Sequence, residues 1–549
     1  MKTKILLISV ITLLLQSLSA EETDSGLNII PQPNKISMTK GRFSLTKDTR
    51  IFYQGTEEVK AIAEKLAKLL NKATGFEYTV KSKTNAKSEI IFKLNNNTCN
   101  PESYNIIVNT TRIIVSASTS HGLFNGFQTL RQLFPSDIEG GKSDISHYTI
   151  PCLVIDDVPH YSYRGLHLDV SRHFFDKGFI KKYIDMMSIY KFNKFHWHLT
   201  DDQGWRIQIN KYPLLTTISS NRTDCNGSVS GGCYTQEDIK EVVAYAKERY
   251  IDVIPEIEMP GHAVAVLAAY PKLSCTGGPF SVETHWGIFN DVYCAGNEEV
   301  FDFLQNVLDE IASLFPYKYI HIGGDECKKT RWERCFKCQS RIKQKGLSNE
   351  QELQSYFVNR IEKYLLTKNK QIIGWEEILE GDSISKSATI MSWRGVAAGI
   401  QAAKRGNYVI MAPKNYCYFD YYQGVASEEP KAIGGFVPLQ EVYSFNPTPI
   451  ELTPSEAKYI LGGQANVWTE YTSTTENIEY MVYPRALALI ESLWTNIENK
   501  NYTLFENRVH NHYTRLHNAN INFSKSADKD STKQKWLNSQ SKTNEKSGY

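Results

Sequence analysis

Apolar and polar positions follow two different patterns along the chain. Between residues 27 and 155, short strand-like apolar runs such as RIIVSAS (residues 112–118) occur beside longer segments, at 57–73 and 121–134, in which apolar residues recur every three or four positions. The first pattern is typical of strands and the second of amphipathic helices. This part of the chain is therefore predicted to form a separate, smaller α+β domain.

The pattern changes between residues 160 and 520, where short apolar runs alternate with helical segments. The runs predicted to be strands are GLHLDV, KFHWHL, IDVIPEIE, KYIHIGG, KQIIGWEE, ATIMSW, NYVIMAP and YILGGQANVW. Each is followed by a polar or aromatic cluster and then by a helical stretch. Eight strands alternating with helices predict an α/β fold, the (β/α)8 or TIM barrel, whose active site forms at the carboxyl ends of the strands.

The two ends of the chain carry signals of their own. Residues 1–20 combine Lys2 and Lys4 with an apolar run at 5–15 and small residues before an acidic stretch, which is typical of a secretory signal peptide. No later stretch approaches the roughly 18 uninterrupted apolar residues of a membrane span. We therefore expect an exported protein, in the periplasm, outside the cell or in a lysosome-like compartment, depending on the host. Residues 524–549 are rich in Ser, Lys and Asn and predict a mobile tail.

The charge balance excludes one class of partner. The chain has 62 basic and 60 acidic residues and a formal net charge of +2. Such a balance creates no long-range field that would gather nucleic acid or an anionic membrane. Neither is predicted as a partner, and the oligomeric state stays open.

Export gives the ten cysteines a possible role, because disulfides persist in oxidising compartments. Two pairs bracket Gly-rich loops and are plausible local disulfides: Cys225 with Cys233, and Cys275 with Cys294. The CFKC segment, Cys335 to Cys338, with Cys327 upstream, has the spacing of half a zinc site or of a redox motif. No second pair of this spacing completes a tetrahedral set, so neither a metal nor a cofactor is predicted. For Cys327 the hypothesis is a disulfide with an unknown partner.

Two adjacent carboxylates follow a predicted strand in the segment HIGGDEC. Asp325 and Glu326 come directly after two glycines. Hydrolysis of glycosides commonly uses two carboxyl groups, one of them a proton donor with a raised pKa, and a nearby like charge raises a pKa. Glu326, with its longer reach, is the better proton donor. The usual arrangement places an acid and a nucleophile on opposite sides of the sugar ring, and two adjacent carboxylates do not match it. The identity of the nucleophile therefore stays open.

Aromatic and polar residues at the ends of other predicted strands point to a sugar pocket. Trp375, Trp393 and Trp468 all occupy such positions and could stack on a pyranose ring, and Tyr418, Asp420 and Glu470 lie beside them in sequence. Any one of these tryptophans alone is better explained as core. Three at corresponding strand ends favour a carbohydrate site.

The HWH segment places two histidines on one face of a strand. His196 and His198 have a spacing that could serve a metal. The alternative is an interior hydrogen-bond network with Asp201, Glu258 and His262. We favour the network, because no further His or Cys completes a ligand set.

A series of motifs in this chain resembles one enzyme family, the β-N-acetylhexosaminidases of glycoside hydrolase family 20. The motifs run in family order from about residue 30 to 520: RGLHLDVSRHF, NKFHWHLTDDQGWRIQI, PEIEMPGH, HIGGDE, IGWEE, MSWRG, YFDYYQ, GGQANVWTE and YPRALALIESLW. The N-terminal α+β unit also looks like the small domain that precedes the barrel in this family. The GGDE motif alone would be weak evidence for this family, but the ordered set of motifs is highly specific for it.

The resemblance implies an exo-acting enzyme that hydrolyses terminal non-reducing β-linked GlcNAc or GalNAc residues of oligosaccharides or glycoconjugates. Family members use substrate-assisted retention, in which the 2-acetamido oxygen of the substrate attacks the anomeric carbon and forms an oxazolinium-type intermediate. Glu326 then resembles the general acid and base, and Asp325 the residue that accepts the acetamido N–H. The further positions implied are Arg172 for sugar hydroxyls, Tyr418 for the acetamido oxygen, Trp375, Trp393 and Trp468 as walls, Asp420 and Glu470 as hydroxyl acceptors, and Asp201 with His262 as a supporting pair.

Two other functions stay open at this point. One is a carbohydrate-binding protein on the same scaffold without turnover, which a missing acid or acetamido-orienting residue would favour. The other is a barrel glycosidase with a protein nucleophile, acting on sugars that lack the acetamido group. GlcNAc against GalNAc preference and linkage depend on loop shape.

Overall fold

The protein is described here from a computed structural model that covers most of the chain. The described residues are 26–82, 88–95, 100–140, 148–224, 227–381 and 383–526. The predicted signal peptide, the predicted tail beyond residue 526, and Cys225 lie outside these ranges. No helix within them combines the length and apolar character that crossing a membrane requires.

The N-terminal domain is a mixed sheet with helices packed on it, as the sequence predicts. Its elements are β1 (Lys35–Ser44), β2 (Arg50–Gln54), α1 (Glu57–Thr74), β3 (Val80–Lys81), β4 (Glu89–Leu94), β5 (Tyr104–Val108), β6 (Arg112–Ala117), α2 (Ser120–Leu133), α3 (Asp137–Gly140) and β7 (Thr149–Asp157). The strand order is β1-β7-β5-β6-β4-β2-β3. Strands β2, β4 and β6 pair in parallel, whereas β5 and β7 run antiparallel to their neighbours.

Helix α1 shows how the sequence pattern produces this domain. Its buried side is formed by apolar residues three or four positions apart: Val59, Ile62, Ala63, Leu66 and Leu70. Glu57 and Glu58 occupy the first turn, where negative charge is favourable at a helix N-terminus. The helix ends at Gly75, whose φ of 74° is left-handed and whose N–H donates to the carbonyl of Asn71. The helix therefore packs one apolar side on the sheet and ends where glycine permits the turn.

The rest of the chain alternates strands and helices. Its elements are β8 (Tyr163–Asp169), α4 (Lys177–Ile189), β9 (Lys194–His198), β10 (Thr200–Asp201), β11 (Gly204–Trp205), α5 (Leu214–Thr217), β12 (Asn221–Thr223), β13 (Val229–Gly231), α6 (Gln236–Lys247), β14 (Asp252–Glu256), α7 (Val264–Ala269), α8 (Glu298–Leu314), β15 (Tyr319–His321), α9 (Thr330–Arg334), α10 (Phe336–Lys345), α11 (Glu350–Thr367), β16 (Gln371–Trp375), β17 (Thr389–Ser392), α12 (Ala397–Arg405), β18 (Val409–Met411), α13 (Lys414–Cys417), α14 (Leu439–Ser444), α15 (Pro454–Ala457), β19 (Ile460–Ala465), α16 (Thr475–Val482), α17 (Arg485–Trp494) and α18 (Tyr502–Asn518).

Eight of these strands close into a parallel barrel, which confirms the predicted fold class. The barrel order is β8-β9-β14-β15-β16-β17-β18-β19, and β19 pairs back with β8. Every residue of β9 is buried, because helices cover the outside of a parallel barrel and side chains fill its inside. Phe195 packs outward against Tyr183 of α4, with ring centroids 5.9 Å apart, while His196 and His198 point inward. This alternation along β9 carries polar groups into the barrel beneath its carboxyl end.

The two domains share a buried junction. Trp494, at the end of α17, packs into the core of the N-terminal domain and donates its Nε1–H to Asp157 at 2.9 Å. Glu102, just before β5, accepts hydrogen bonds from Arg164 at 3.3 Å and from Asn193 at 3.2 Å. Arg164 is fully buried at the amino end of β8, so it holds the junction and does not reach the carboxyl ends of the barrel strands.

The Glu102–Arg164 pair should make folding pH-dependent. Burial alone would raise the pKa of Glu102, but the charge and hydrogen bond of Arg164, together with the smaller effects of His121 and Lys194, outweigh it and lower the pKa from the usual 4.5 to about 2. A lowered folded-state pKa stabilises the protein above pH 4.5, and this stabilisation is lost as pH falls towards 2. We expect Glu102→Gln to reduce the free energy of unfolding by about 3 kcal/mol at pH 7, and by progressively less below pH 4.5.

Urea unfolding of both proteins across this pH range measures the effect. Glu64→Gln, an exposed substitution on α1, is the matched control and should leave stability unchanged within about 0.5 kcal/mol. A stability difference for Glu102→Gln that stays constant with pH would contradict the assignment.

Candidate active site

A cavity of about 400 Å³ opens at the carboxyl ends of the barrel strands. All eleven residues that the sequence analysis selected line it: Arg172, Asp201, His262, Asp325, Glu326, Trp375, Trp393, Tyr418, Asp420, Trp468 and Glu470. Each barrel strand contributes, because each of these residues ends a strand or lies in the segment that follows one. Parallel strands in a barrel direct these segments to one rim, which explains how residues so distant in sequence converge.

The two glycines of HIGGDE shape the turn that presents the carboxylates. Gly323 and Gly324 have φ values of 65° and 96°, in the left-handed region that favours glycine. A Cβ on Gly323 would overlap the carboxylate of Glu258, and one on Gly324 would press into Ile378. The chain therefore turns tightly above Glu258 and directs the next two side chains into the cavity.

Asp325 and Glu326 approach the same imidazole. The Nε2 atom of His262 lies 3.7 Å from Oδ2 of Asp325 and 3.5 Å from Oε2 of Glu326. Asp325 is 9% exposed, whereas the side chain of Glu326 is 30% exposed and reaches the open part of the cavity. The two carboxyl groups thus lie on one side of the site, one deep and one near the entrance.

His262 is held by two further carboxylates on its other nitrogen. Its Nδ1 lies 3.1 Å from Oδ1 of Asp201 and 3.0 Å from Oδ2 of Asp202. Burial disfavours a charged imidazole, but Asp201, Asp202 and Glu326 together outweigh burial, and the pKa of His262 is raised well above its usual value. Burial would raise the pKa of Asp201, but Arg172, 2.8 Å away, and His262 hold it well below its usual range. His262 is therefore a charged donor facing the acidic pair.

The environment of Asp325 disfavours its charged form. Burial, with contributions from the nearby Glu377, Glu256 and Glu326, raises the pKa of Asp325 well above its usual value, against the opposing effect of His262. A carboxylate at this position lacks water, and the imidazole of His262, 3.7 Å away, offsets the effect of burial only in part. It would be stabilised by a positive charge that develops in the cavity beside it.

A buried polar network that includes both histidines of the HWH segment supports the site from below. Its centre is Glu256, at the end of β14, whose Oε2 lies 2.5 Å from Nδ1 of His198 and 3.0 Å from Nε2 of His196. Oε1 of Glu256 accepts from Nε1 of Trp375 at 2.8 Å and lies 2.8 Å from Nδ1 of His321. The central position of Glu256 and the participation of His321 were not predicted. Their strand-end positions were the available signal.

Aromatic rings form the walls of the cavity. Trp468 lies under the guanidinium of Arg172, with 5.2 Å from Cζ to the ring centroid, and its ring is 6.0 Å from that of Trp375. Trp393 and Tyr418 are stacked, with an interplanar angle of 21° and centroids 6.0 Å apart. The cavity is thus apolar on its walls and acidic at its polar end.

Three buried carboxyl oxygens of residues that line this cavity have no hydrogen-bond partner among the described residues. They are Oδ1 of Asp325, Oδ1 of Asp420 and Oε2 of Glu470. Burial raises the pKa of Asp420 and of Glu470, and the carboxyl groups near each of them add to the effect. Buried acceptors of this kind are costly unless a donor reaches them. The cavity is therefore built to receive a neutral ligand with several O–H or N–H donors.

Several lining residues were missed by the sequence analysis because they lie in long loops. They are Trp286, Gly287, Ile288, Tyr421, Ile433 and Tyr471. Trp286 to Ile288 belong to the segment between Cys275 and Cys294, which has no regular secondary structure beyond an isolated bridge at either end. The aromatic and Gly-rich composition of this loop was the signal available.

The disulfides expected from the sequence are not found among the described residues. Cys275 and Cys294 carry free thiols, and they lie together with Cys335 and Cys338. Cys233 and Cys327 are also free, and Cys225, the proposed partner of Cys233, lies outside the described residues. The carbonyl oxygen of Cys327 accepts from Nζ of Lys329 at 2.9 Å, so a hydrogen bond helps to hold the turn for which a disulfide was suggested.

The fold and the site together define a class of protein. A TIM barrel with an acidic pair, indole walls and unsatisfied carboxyl acceptors at its carboxyl rim is the arrangement of a glycoside hydrolase. The chain belongs to glycosyl hydrolase family 20. Residues 161–497 match the catalytic domain of that family, and residues 26–158 match its domain 2. The resemblance noted in the sequence is thereby confirmed.

Known relatives agree with this assignment. A beta-hexosaminidase of Porphyromonas gingivalis is 45% identical over 506 residues, which cover 91% of this chain and 65% of the relative, so this chain spans about two thirds of it. The GH20 beta-N-acetylhexosaminidase of Streptomyces coelicolor superposes with a TM-score of 0.83 at 28% identity, covering 92% of this chain and 99% of that one. A mutant Streptomyces plicatus beta-hexosaminidase in complex with its product GlcNAc gives 0.83 at 29% identity, covering 92% and 98%.

Proposed function

We propose that this glycoside hydrolase is an exo-acting β-N-acetylhexosaminidase that uses substrate-assisted retaining catalysis. The observation that carries the proposal is the position of Asp325 next to Glu326. The deep carboxylate has a buried, unpartnered oxygen, and both groups approach one imidazole from the same side of the cavity. A proton donor and an acetamide acceptor need this proximity, because the leaving oxygen and the 2-acetamido group occupy neighbouring carbons of the sugar.

The first step breaks the bond between the anomeric carbon and the leaving oxygen. Glu326, near the entrance, gives its proton to that oxygen, while the acetamido oxygen of the substrate attacks the anomeric carbon from the other face. Asp325 accepts the acetamido N–H and stabilises the positive charge that spreads over the oxazolinium ring. Its raised pKa supports this role, since a buried carboxylate gains more from a developing positive charge than a solvated one.

The second step opens the oxazolinium ion with water. Glu326, now a carboxylate, takes a proton from the water that attacks the anomeric carbon, and the acetamido group is restored. Two displacements return the product to the β configuration. Trp375 and Trp393 would enclose the acetamido methyl group, and the Tyr418 hydroxyl would donate to the acetamido oxygen as it attacks. The stacking of Trp393 on Tyr418 supports a fixed wall at this place.

The exo specificity is supported by Asp420 and Glu470. Both line the cavity and carry an unpartnered buried oxygen, and Arg172 lines the same cavity with Trp468 under its guanidinium. A free hydroxyl can donate to such an oxygen, whereas an oxygen already in a glycosidic bond cannot. A sugar at the non-reducing end, with its hydroxyls free, satisfies these acceptors.

A panel of aryl glycosides tests the proposal. Aryl β-GlcNAc and β-GalNAc should both be cleaved, and the aryl β-glucoside, which lacks the internal nucleophile, should react slower by ~10³-fold or more. A thiazoline that mimics the oxazoline should inhibit competitively. Turnover of the glucoside at a comparable rate would indicate a protein nucleophile, and absence of any turnover would indicate a carbohydrate-binding protein.

We also propose that the chain is exported and meets its oligosaccharide or glycoconjugate substrates outside the cytoplasm. The basic, apolar and small-residue pattern of residues 1–20 supports this proposal. N-terminal sequencing of the chain recovered from the exporting host should give a mature start near Glu21. A full-length chain retained in the cytoplasm would contradict export.

A further inference from the structure

Four cysteines outside the catalytic constellation form a compact cluster. The Sγ atom of Cys294 lies 3.6 Å from that of Cys338 and 3.7 Å from that of Cys335, and the Sγ atoms of Cys275 and Cys338 are 3.8 Å apart. All four sulfurs lie within 4.8 Å of one another. The cluster joins two segments that are distant in sequence, the 275–294 loop and the CFKC segment at the start of α10.

These distances fit a tetrahedral metal thiolate. A Zn–S bond of about 2.3 Å places neighbouring sulfurs of a regular tetrahedron about 3.8 Å apart. The three measured distances fall within 0.2 Å of that edge length. Disulfide sulfurs would lie about 2.05 Å apart, and two disulfides would divide the four atoms into separate pairs. Here Cys294 is equally close to both cysteines of the CFKC segment, so the set does not divide in that way.

The surrounding backbone is shaped to bring the four cysteines together. Cys294 and Cys338 are fully buried and Cys335 is 8% exposed. Gly296 lies so close to the CFKC segment that a Cβ on it would overlap the backbone of Lys337. Close approach of two backbones is what a shared metal site between two chain segments requires. The Cys-x-x-Cys spacing of residues 335 and 338 is that of one half of many structural zinc sites.

The cysteine cluster lies at the base of a loop that lines the active-site cavity. It closes the base of the 275–294 loop, whose tip, Trp286 to Ile288, lines the active-site cavity. Two further contacts tie the loop to α9, which follows the acidic pair: Nε of Arg331 bonds to Asp291 at 2.8 Å, and Nε1 of Trp332 donates to the carbonyl of Tyr293 at 2.9 Å. The loop is thus held at its base and free of regular structure at its tip.

We propose that Cys275, Cys294, Cys335 and Cys338 bind one Zn²⁺ ion as a structural tetrathiolate. The ion crosslinks the 275–294 loop to the start of α10 and so fixes the loop that walls one side of the cavity. All four metal positions are occupied by protein, so the site is structural and takes no part in the hydrolytic step. Binding releases the thiol protons and protects the sulfurs from oxidation.

The first experiment measures metal and thiol state in the full chain, exported with its own leader in zinc-supplied medium. We expect about one zinc per chain by elemental analysis, released when an organomercurial titrates the thiols. Non-reducing peptide mapping should find these four cysteines reduced. A disulfide involving any of the four, or four free thiols with less than about 0.1 zinc per chain, would overturn the proposal.

Substitution of single ligands provides the second experiment. Cys294→Ser and Cys335→Ser should each lose the bound zinc, lower the thermal midpoint and raise KM more than they lower kcat, since the loop and not the acidic pair is disturbed. Cys152→Ser removes a buried cysteine of the N-terminal domain and is the matched control, which should keep about one zinc per chain.

Cobalt gives a readout that does not depend on the stability of any variant. The wild-type chain reloaded with Co²⁺ should show the intense sulfur-to-cobalt charge-transfer and d–d bands of a tetrahedral thiolate site. A spectrum of octahedral cobalt, or retention of zinc by both ligand variants, would contradict the assignment.

Discussion

Replacing Glu326 with glutamine should abolish most hydrolysis of substrates whose leaving group needs a proton. For a disaccharide or alkyl glycoside we expect kcat/KM to fall ~10²–10⁴-fold, the usual contribution of a positioned general acid. An aryl glycoside with an acidic phenol should lose far less, because that phenolate leaves without a proton. The measurement is kcat/KM across a leaving-group series, since this ratio reports the step up to the first irreversible event.

The control for this substitution is Glu333→Gln, the same chemical change at an exposed position in α9 seven residues along the chain. It should leave the whole series unchanged. Equal losses of kcat/KM for good and poor leaving groups in Glu326→Gln would refute the acid assignment. Loss of a proton donor must lower the rate most for substrates whose leaving group departs only when protonated.

Replacing Asp325 with asparagine should lower kcat/KM by ~10² or more for every N-acetyl substrate, with little dependence on the leaving group. Asparagine has almost the same shape and can still accept the acetamido N–H. The loss therefore reports the negative charge that faces the oxazolinium ion. Because burial raises the pKa of Asp325, the group is costly in the free enzyme and gains stability as positive charge develops.

The matched control is Asp302→Asn, at an exposed position on α8. The thiazoline inhibitor adds a second readout, since its affinity should weaken in parallel with the rate. Wild-type rates in Asp325→Asn would refute the role. A leaving-group dependence like that of Glu326→Gln would mean that the two carboxylates had been assigned in the wrong order.

Much of the barrel was visible in the sequence because each strand is buried on both faces. Even β15 and β18, only three residues long, lie inside apolar runs that were predicted as strands. Such runs, repeated eight times with helical segments between them, leave few arrangements that bury them all. The domain junction was not predictable in this way, because Trp494 and Glu102 contact partners hundreds or tens of residues away.

The residues of the site likewise fall into a group that could be predicted from the sequence and a group that could not. Residues that end a strand, such as Trp375, or directly follow one, such as Trp393, could be chosen from the sequence because the barrel directs them to one rim. Trp286 and Tyr471 were missed, because the path of a long loop is set by contacts that no local pattern encodes.

The cysteines show most clearly the difference between what the sequence predicts and what the tertiary structure decides. In the sequence, Cys275 and Cys294 suggested a loop disulfide and the CFKC segment suggested half of a metal site, with nothing to connect them. Folding places Cys294 3.7 Å from Cys335, 41 residues further along the chain. The sequence alone determined the strands, their order and the residues at their ends, because burial of apolar runs is a local property of the chain. Only the tertiary structure decided which side chains share a cavity, a proton or a sulfur cluster, because those distances depend on how the whole barrel closes.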